Sequence, residues 1–285
     1  MGMGMGMGMG VGSIAIRGRL LLLLIWATVA HTLVVLPDGR RVHIINNNVL
    51  LDNVGDFILT RVEELANNAI AEKGAFSMSI GSGTTVKPLS ALAGRLDFSK
   101  VHLFFGNERT EGEAAGKCFG SGQEVFASLG IPDSNLHRVP ELPAEEAAEA
   151  YEAIIRGMPP SVVGVNDNNG LPSLDLCLLG SGADGHCASL YPNSAQVVES
   201  PGGRAVYLAA EGKGGITITI DAINAARNVL LSAGKASQSD MARKCLAWSN
   251  AAANRALPSG MISTSEGAVV EWILTEESAA DLPAM

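Results

Sequence analysis

The run Leu174 to Leu179, LDLCLL, is apolar apart from Asp175 and passes directly into Gly180-Ser181-Gly182-Ala183-Asp184-Gly185-His186. A short, nearly continuous apolar run bounded by glycines suits a strand buried on both faces, as in a parallel sheet, better than a strand with one wet face. Ligands of open α/β sheets sit outside the carboxyl ends of the strands, which is where this order of residues places Asp184 and His186. Histidine titrates near neutral pH without a large perturbation, so one in such a loop can take a proton from water. A loop histidine satisfied by backbone groups would look the same in isolation, and the surrounding pattern has to separate the two readings.

That pattern is of alternating elements. Ile58, Val62, Leu65 and Ala69 recur at helical spacing between Asp56 and Glu72, and Gly74 supplies a stop. Residues 76–80 then read as a strand entering the loop Gly81 to Thr85, with a short helix from near Val86, a strand–glycine loop–helix layout suited to phosphate. A strand over 101–105 ends at Gly106-Asn107-Glu108-Arg109, and helices are expected around 122–129 and 144–155. Residues 157–172 read as a surface connection. Strands are expected at 205–208, 216–220, 229–233 and 269–274, with a helix over 236–246. The alternation predicts one α/β domain, Rossmann-like, with a mostly parallel sheet and helices on both faces.

Composition narrows the function classes. A chain of 285 residues, 47% hydrophobic and 17% charged, can bury a substantial core. Its net charge of -9 argues against nucleic acid or an anionic membrane as main partner. A phosphorylated substrate would therefore need local positive potential, for which Lys87, Arg109, Lys235 and glycine-loop N–H groups are the candidates. Cys118, Cys177, Cys187 and Cys245 have no C-x-x-C spacing, so neither a zinc site nor a disulfide framework is indicated, and they read as buried small hydrophobes. Cys187 beside His186 invites a thiol-nucleophile reading, which ranks below packing.

The N-terminus carries five Met-Gly repeats, then Arg17, Arg19 and the apolar run Leu20 to Ala30. This segment, 1–36, has the layout of a secretory signal or the first part of a plastid-targeting sequence. The alternatives are that Leu20 to Leu36 is an extra apolar element packed on the domain, or a consequence of start-site choice. His31 and Thr32 interrupt the run, so a cleaved signal is expected over a permanent membrane span. The globular domain is expected over 41–285.

The segment GADGHCASLYP, Gly182 to Pro192, resembles the signature G-x-D-G-H-x-A-S-L-F-P of the 6-phosphogluconolactonases, in the glucosamine-6-phosphate isomerase/6-phosphogluconolactonase family. A match over about ten positions is far more specific than a lone glycine pattern. The loop Gly81 to Thr85, the GNER of Gly106 to Arg109, the ITITIDAINAAR of Ile216 to Arg227 and the Gly234-Lys235 pair follow the family's order.

The resemblance implies the NagB/RpiA-like fold and hydrolysis of 6-phospho-D-glucono-1,5-lactone to 6-phospho-D-gluconate, the second step of the oxidative pentose phosphate pathway. It implies His186 as general base on water and Asp184 as the carboxylate that orients it, although Asp184 could equally brace the turn through its own backbone. Ser82, Gly83, Thr84 and Thr85 fall on the family's phosphate loop, with Arg109 and Lys235 as its cations. The partner implied is a small phosphorylated sugar lactone, with no cofactor and no metal. The family's compartment is cytoplasmic, whereas the N-terminal segment suggests the ER or a plastid.

The sequence also departs from the family. The family's D-E-R is Asn107-Glu108-Arg109 here, so an amide that cannot hold charge replaces a carboxylate. The S-G-G-S-T-P loop is GSGTTV, the Arg that often opens the R-I-T-L-T strand is Gly215, and residues 111–123 lack the usual S-N pair. Two alternatives stay open: a glucosamine-6-phosphate deaminase or isomerase, which would need carboxylates to move protons at carbon, and a catalytically weak phosphosugar-binding homologue.

Overall fold

The computed structural model describes residues 31–46, 53–81, 85–199, 204–210, 212–247 and 256–282. In chain order the elements are β1 (His31–Val35), β2 (Arg41–Ile45), α1 (Asn53–Lys73), β3 (Phe76–Ile80), β4 (Val101–Phe105), β5 (Asn107–Arg109), α2 (Lys117–Leu129), α3 (Ala144–Arg156), β6 (Gly164–Val165), β7 (Pro172–Ser173) and β8 (Leu176–Gly180). There follow α4 (Ala195–Glu199), β9 (Tyr207–Ala209), β10 (Gly215–Ile218), α5 (Ile220–Asn224), β11 (Asn228–Ser232), α6 (Ser239–Cys245) and β12 (Val269–Thr275).

Among the described residues, seven strands form the main sheet in the order β1-β2-β12-β11-β8-β3-β4. All neighbours are parallel except the antiparallel edge pair β1–β2. β4 lies on one side of β3, and β8 lies on the other. The winding therefore reverses at β3, and a crevice is left over the carboxyl ends of β3 and β8, the usual ligand position in such sheets.

Burial of β8 on both faces follows from its composition. Leu176 and Leu178 join Ile58, Val62 and Phe105 on the α1 side, while Cys177 and Leu179 join Tyr151 and Trp272 on the other. Each fully buried leucine contributes about 1.5 to 3 kcal/mol, so the strand that carries the candidate loop is among the best anchored. Asp175, the charge that interrupts the apolar run, sits at the amino end of β8. Its Oδ2 accepts from the Ser77 N–H at 2.8 Å and lies 2.9 Å from Lys73 Nζ, which ties β8 to β3 and α1. Glu271 in β12 is similarly paired, 2.7 Å from His43 Nε2 and 2.5 Å from Arg61. Such pairing is what lets charge persist in a core.

Three sequence expectations are revised. Strands expected at 205–208 and 216–220 are not in the main sheet: β9 and β10 join β5 in a separate antiparallel sheet, order β5-β10-β9. β10 stops at Ile218 because Thr219 accepts from the Ala222 N–H at 3.1 Å and caps α5. The expected helix over 236–246 is a 3-10 turn, Ala236–Gln238, followed by α6.

The chain also enters the sheet at His31, ahead of the domain start expected at 41, because β1 pairs with β2 along its length. The Met-Gly repeats and the run Leu20 to Ala30 lie outside the described residues. Among those described, no helix is long and apolar enough to cross a membrane.

Candidate active site

The loop after β8 closes on itself. The Ser181 N–H extends the pairing with β11 by donating to Ser232 O at 3.0 Å, the Gly182 N–H donates to His186 O at 2.8 Å, and the Gly185 N–H donates to Gly182 O at 3.0 Å. Inside this turn Asp184 Oδ1 accepts from the His186 N–H at 3.2 Å and lies 2.6 Å from His186 Nδ1. An ionised carboxylate can only accept, so in the neutral ring Nδ1 carries the proton and Nε2 keeps its lone pair. Partial burial pushes the Asp184 carboxyl up, but hydrogen bonds from the His186 ring and backbone outweigh it and hold it below the usual carboxylate range. The His186 side chain is 34% exposed, open enough to meet water and substrate.

The loop is braced from behind. The Ser259 N–H donates to Gly185 O at 2.9 Å, the Ser181 and Ser259 hydroxyls are 2.7 Å apart, and the Gln238 amide donates to Ser181 O. Cys187 is fully buried and its thiol is pushed up to about 12 by that burial, which leaves no thiolate for nucleophilic chemistry.

β4 ends over the same crevice and feeds β5. Asn107 Nδ2 donates to Ser189 Oγ at 3.0 Å, and the Ser189 N–H donates to Thr217 Oγ1 at 3.1 Å, linking β5 and β10 to the His186 loop. The Arg109 guanidinium donates to Lys213 O at 2.5 Å. Lys213 Nζ lies 4.6 Å from the centroid of the Tyr191 ring, and that ring stacks on His186 at 5.0 Å. Arg109 and His186 thus flank one continuous set of contacts.

Lys235 is exposed at the carboxyl end of β11, with its N–H donating to Gln238 Oε1 at 2.7 Å, so Gln238 joins the Lys235 turn to the His186 loop. Thr85 is buried at the carboxyl end of β8, its methyl 3.9 Å from the position a Cβ on Gly180 would take. Ser82, Gly83 and Thr84 lie outside the described residues. Among the described residues no group of three or more His, Cys, Asp or Glu side chains could hold a metal ion.

Sequence reasoning missed Lys213, the bridge made by Gln238, and the work of Glu108. Lys213 is the tip of a Gly-Lys-Gly turn and was legible only as a loop residue. Glu108 is buried, with Oε1 accepting from the N–H groups of Arg109 and Cys118 and Oε2 from Phe119, so it caps α2 and fixes the backbone of Arg109. Three bonds to one carboxylate make Glu108→Ala a substitution expected to cost about 2 to 4 kcal/mol, read as a lower urea midpoint at unchanged slope. A loss below about 0.5 kcal/mol would show that the cap carries little.

A Rossmann-like α/β sheet with a histidine–carboxylate loop, and with cations over its carboxyl edge that make no ion pair among the described residues, defines a class of proteins suited to small anionic substrates. Within that class, the chain belongs to the family described as glucosamine-6-phosphate isomerases/6-phosphogluconolactonase, whose profile matches residues 51–272. It is 32% identical over 205 residues to the 6-phosphogluconolactonase of Synechocystis sp., covering 68% of this chain and 80% of that one. It is 30% identical over 262 residues to the 6-phosphogluconolactonase of Nostoc sp., covering 88% and 98%.

It is also 30% identical over 220 residues to the probable 6-phosphogluconolactonase 3, chloroplastic, of Oryza sativa subsp. japonica, of which it spans 66%. The solved 6-phosphogluconolactonase from Plasmodium vivax shares the fold at TM-score 0.67 and 17% identity, over 85% of this chain and 91% of that one.

Proposed function

We propose that this chain hydrolyses 6-phospho-D-glucono-1,5-lactone to 6-phospho-D-gluconate. The observation that carries the reading is the 2.6 Å contact from Asp184 to His186 Nδ1, which leaves Nε2 as a base on a partly exposed ring at the carboxyl end of β8.

Nε2 takes a proton from water as the oxygen attacks the lactone carbonyl carbon. The tetrahedral oxyanion needs preorganised donors, for which backbone N–H groups of the glycine-rich loops are the candidates. Collapse breaks the bond from that carbon to the ring oxygen, and the imidazolium returns its proton to the leaving oxygen. Asp184 stays ionised throughout and stabilises the imidazolium between the two transfers. Arg109 and Lys235, with Ser82, Gly83, Thr84 and Thr85, are assigned to the phosphate. Holding that end fixes the carbonyl against the water, which is where the entropy advantage of a bound substrate comes from.

Asn107 separates this chemistry from that of the deaminases and isomerases. An amide bonded to Ser189 can orient a neighbour but cannot accept a proton from carbon. Freshly generated lactone is expected to decay well above its spontaneous rate in the presence of the protein, with no ammonia released from glucosamine 6-phosphate. Ammonia release would transfer the assignment to the deaminase reading. Thermal stabilisation by 6-phosphogluconate without turnover would make the chain a binding homologue.

A further inference from the structure

We propose that Lys213 is a further cation for the substrate's phosphate, acting beside Arg109, an inference that rests on the lactone reading above.

The argument starts from a strand that cannot carry a side chain. Gly215 pairs with Arg109 in the β5–β10 ladder, and a Cβ built on it would lie 2.0 Å from Glu108 O. No side chain fits there without parting the strands, so a cation on this hairpin has to come from its tip. Lys213 is that tip. Its N–H donates to Ala210 O at 3.1 Å, its carbonyl accepts from the Arg109 guanidinium, and the adjacent Gly214 O accepts from the Thr110 N–H at 3.0 Å. The backbone that presents Lys213 is therefore fixed to the same short strand that presents Arg109.

The side chain points the same way. Nζ rests 4.6 Å from the centre of the Tyr191 ring, which in turn stacks on the His186 imidazole. Nζ has no carboxylate within 4.0 Å among the described residues, and neither does the Arg109 guanidinium, although this chain is acidic overall. Among the described residues, Glu111 comes near this turn, with its Oε2 3.8 Å from where a Cβ on Gly214 would stand, yet it makes no ion pair with Lys213. An ammonium parked on an aromatic face is positioned and only weakly engaged, so a phosphate can draw it off the ring. Arg109 spends one of its five donors on Lys213 O and keeps others for the same anion. Lys213 supplies charge from the turn just before Gly215, the residue that opens β10 where the family's strand often opens with Arg.

The test compares Lys213→Met, which removes the charge and keeps the stem, with Lys213→Arg, which restores charge. Both are assayed on the phosphorylated lactone and on unphosphorylated glucono-1,5-lactone. Loss of one charge-assisted contact predicts a KM roughly 10- to 100-fold higher for Lys213→Met on the phosphorylated lactone, with kcat within a few-fold and recovery by arginine. KM for the unphosphorylated lactone is expected to stay put. An unchanged KM on the phosphorylated substrate, or an equal loss on both, overturns the assignment, the second pattern marking a structural role. If the unmodified protein leaves lactone decay at its spontaneous rate, the activity reading fails. Titration of the same variants with 6-phosphogluconate then decides Lys213 on its own, equal affinities counting against it.

Discussion

His186→Ala is expected to lower lactone turnover by about 10² to 10⁴ while leaving the fold intact. The size follows from losing the group proposed to remove a proton from water in one step and return it to the leaving oxygen in the next. The intact fold follows from placement: the ring is 34% exposed, and the loop is held by backbone bonds and by Ser259 and Gln238, none of which uses the imidazole. The companion change Asp184→Asn separates orientation from charge. An amide can offer N–H to Nδ1, which moves the ring proton to Nε2 and removes the base without removing the histidine. Turnover should fall in that variant too, with the thermal midpoint within a few degrees of the parent. Near-normal kcat in His186→Ala, measured against the spontaneous decay of the lactone, would reject the general-base assignment.

Much of this site was legible because its signals are local. The apolar run, the glycines and Asp184 and His186 lie within one stretch of chain, and a buried strand followed by a turn needs no knowledge of partners. α1, β3, β4, α3 and β12 were legible for the same reason, since periodicity and stop signals act within a few residues. What failed was long-range. Asn107 to Arg109 reads as the tail of a strand, yet it pairs with β10 more than a hundred residues later, and nothing in either segment announces the other. Lys213 meets Tyr191 and Arg109 only because that pairing forms. Glu108 looked like one letter of a motif until α2 brought its first N–H groups onto the carboxylate. β1 was obscured by the apolar run before it, which has the composition of a signal segment. Residues that work through tertiary pairing leave their chemistry in the sequence and their address in the fold.

Gly182→Ala should abolish most activity without destabilising the protein, which makes it the sharper test of the Asp184–His186 pair. A Cβ on Gly182 would lie 2.2 Å from His186 Nδ1, 2.3 Å from its Cε1 and 2.5 Å from Asp184 Oδ1, so it would occupy the space the two side chains share. Both are side-chain ends that can swing toward solvent, and the backbone need not move. Gly182 is not among the glycines with positive φ, so alanine fits its conformation. Reduced freedom in the unfolded chain then offsets the lost contact by about 0.4 to 1 kcal/mol. The substitution therefore breaks the 2.6 Å contact while the loop's backbone bonds persist.

Turnover should drop about 10²-fold or more, approaching His186→Ala, with a urea midpoint equal to or slightly above the parent. Gly120→Ala in α2, where an added Cβ meets nothing within 4 Å, is the control for the generic effect and should leave kcat unchanged. If Gly182→Ala keeps full turnover, the imidazole acts from another position and the carboxylate contact is not what prepares it. If activity and stability fall together, Gly182 serves the fold first.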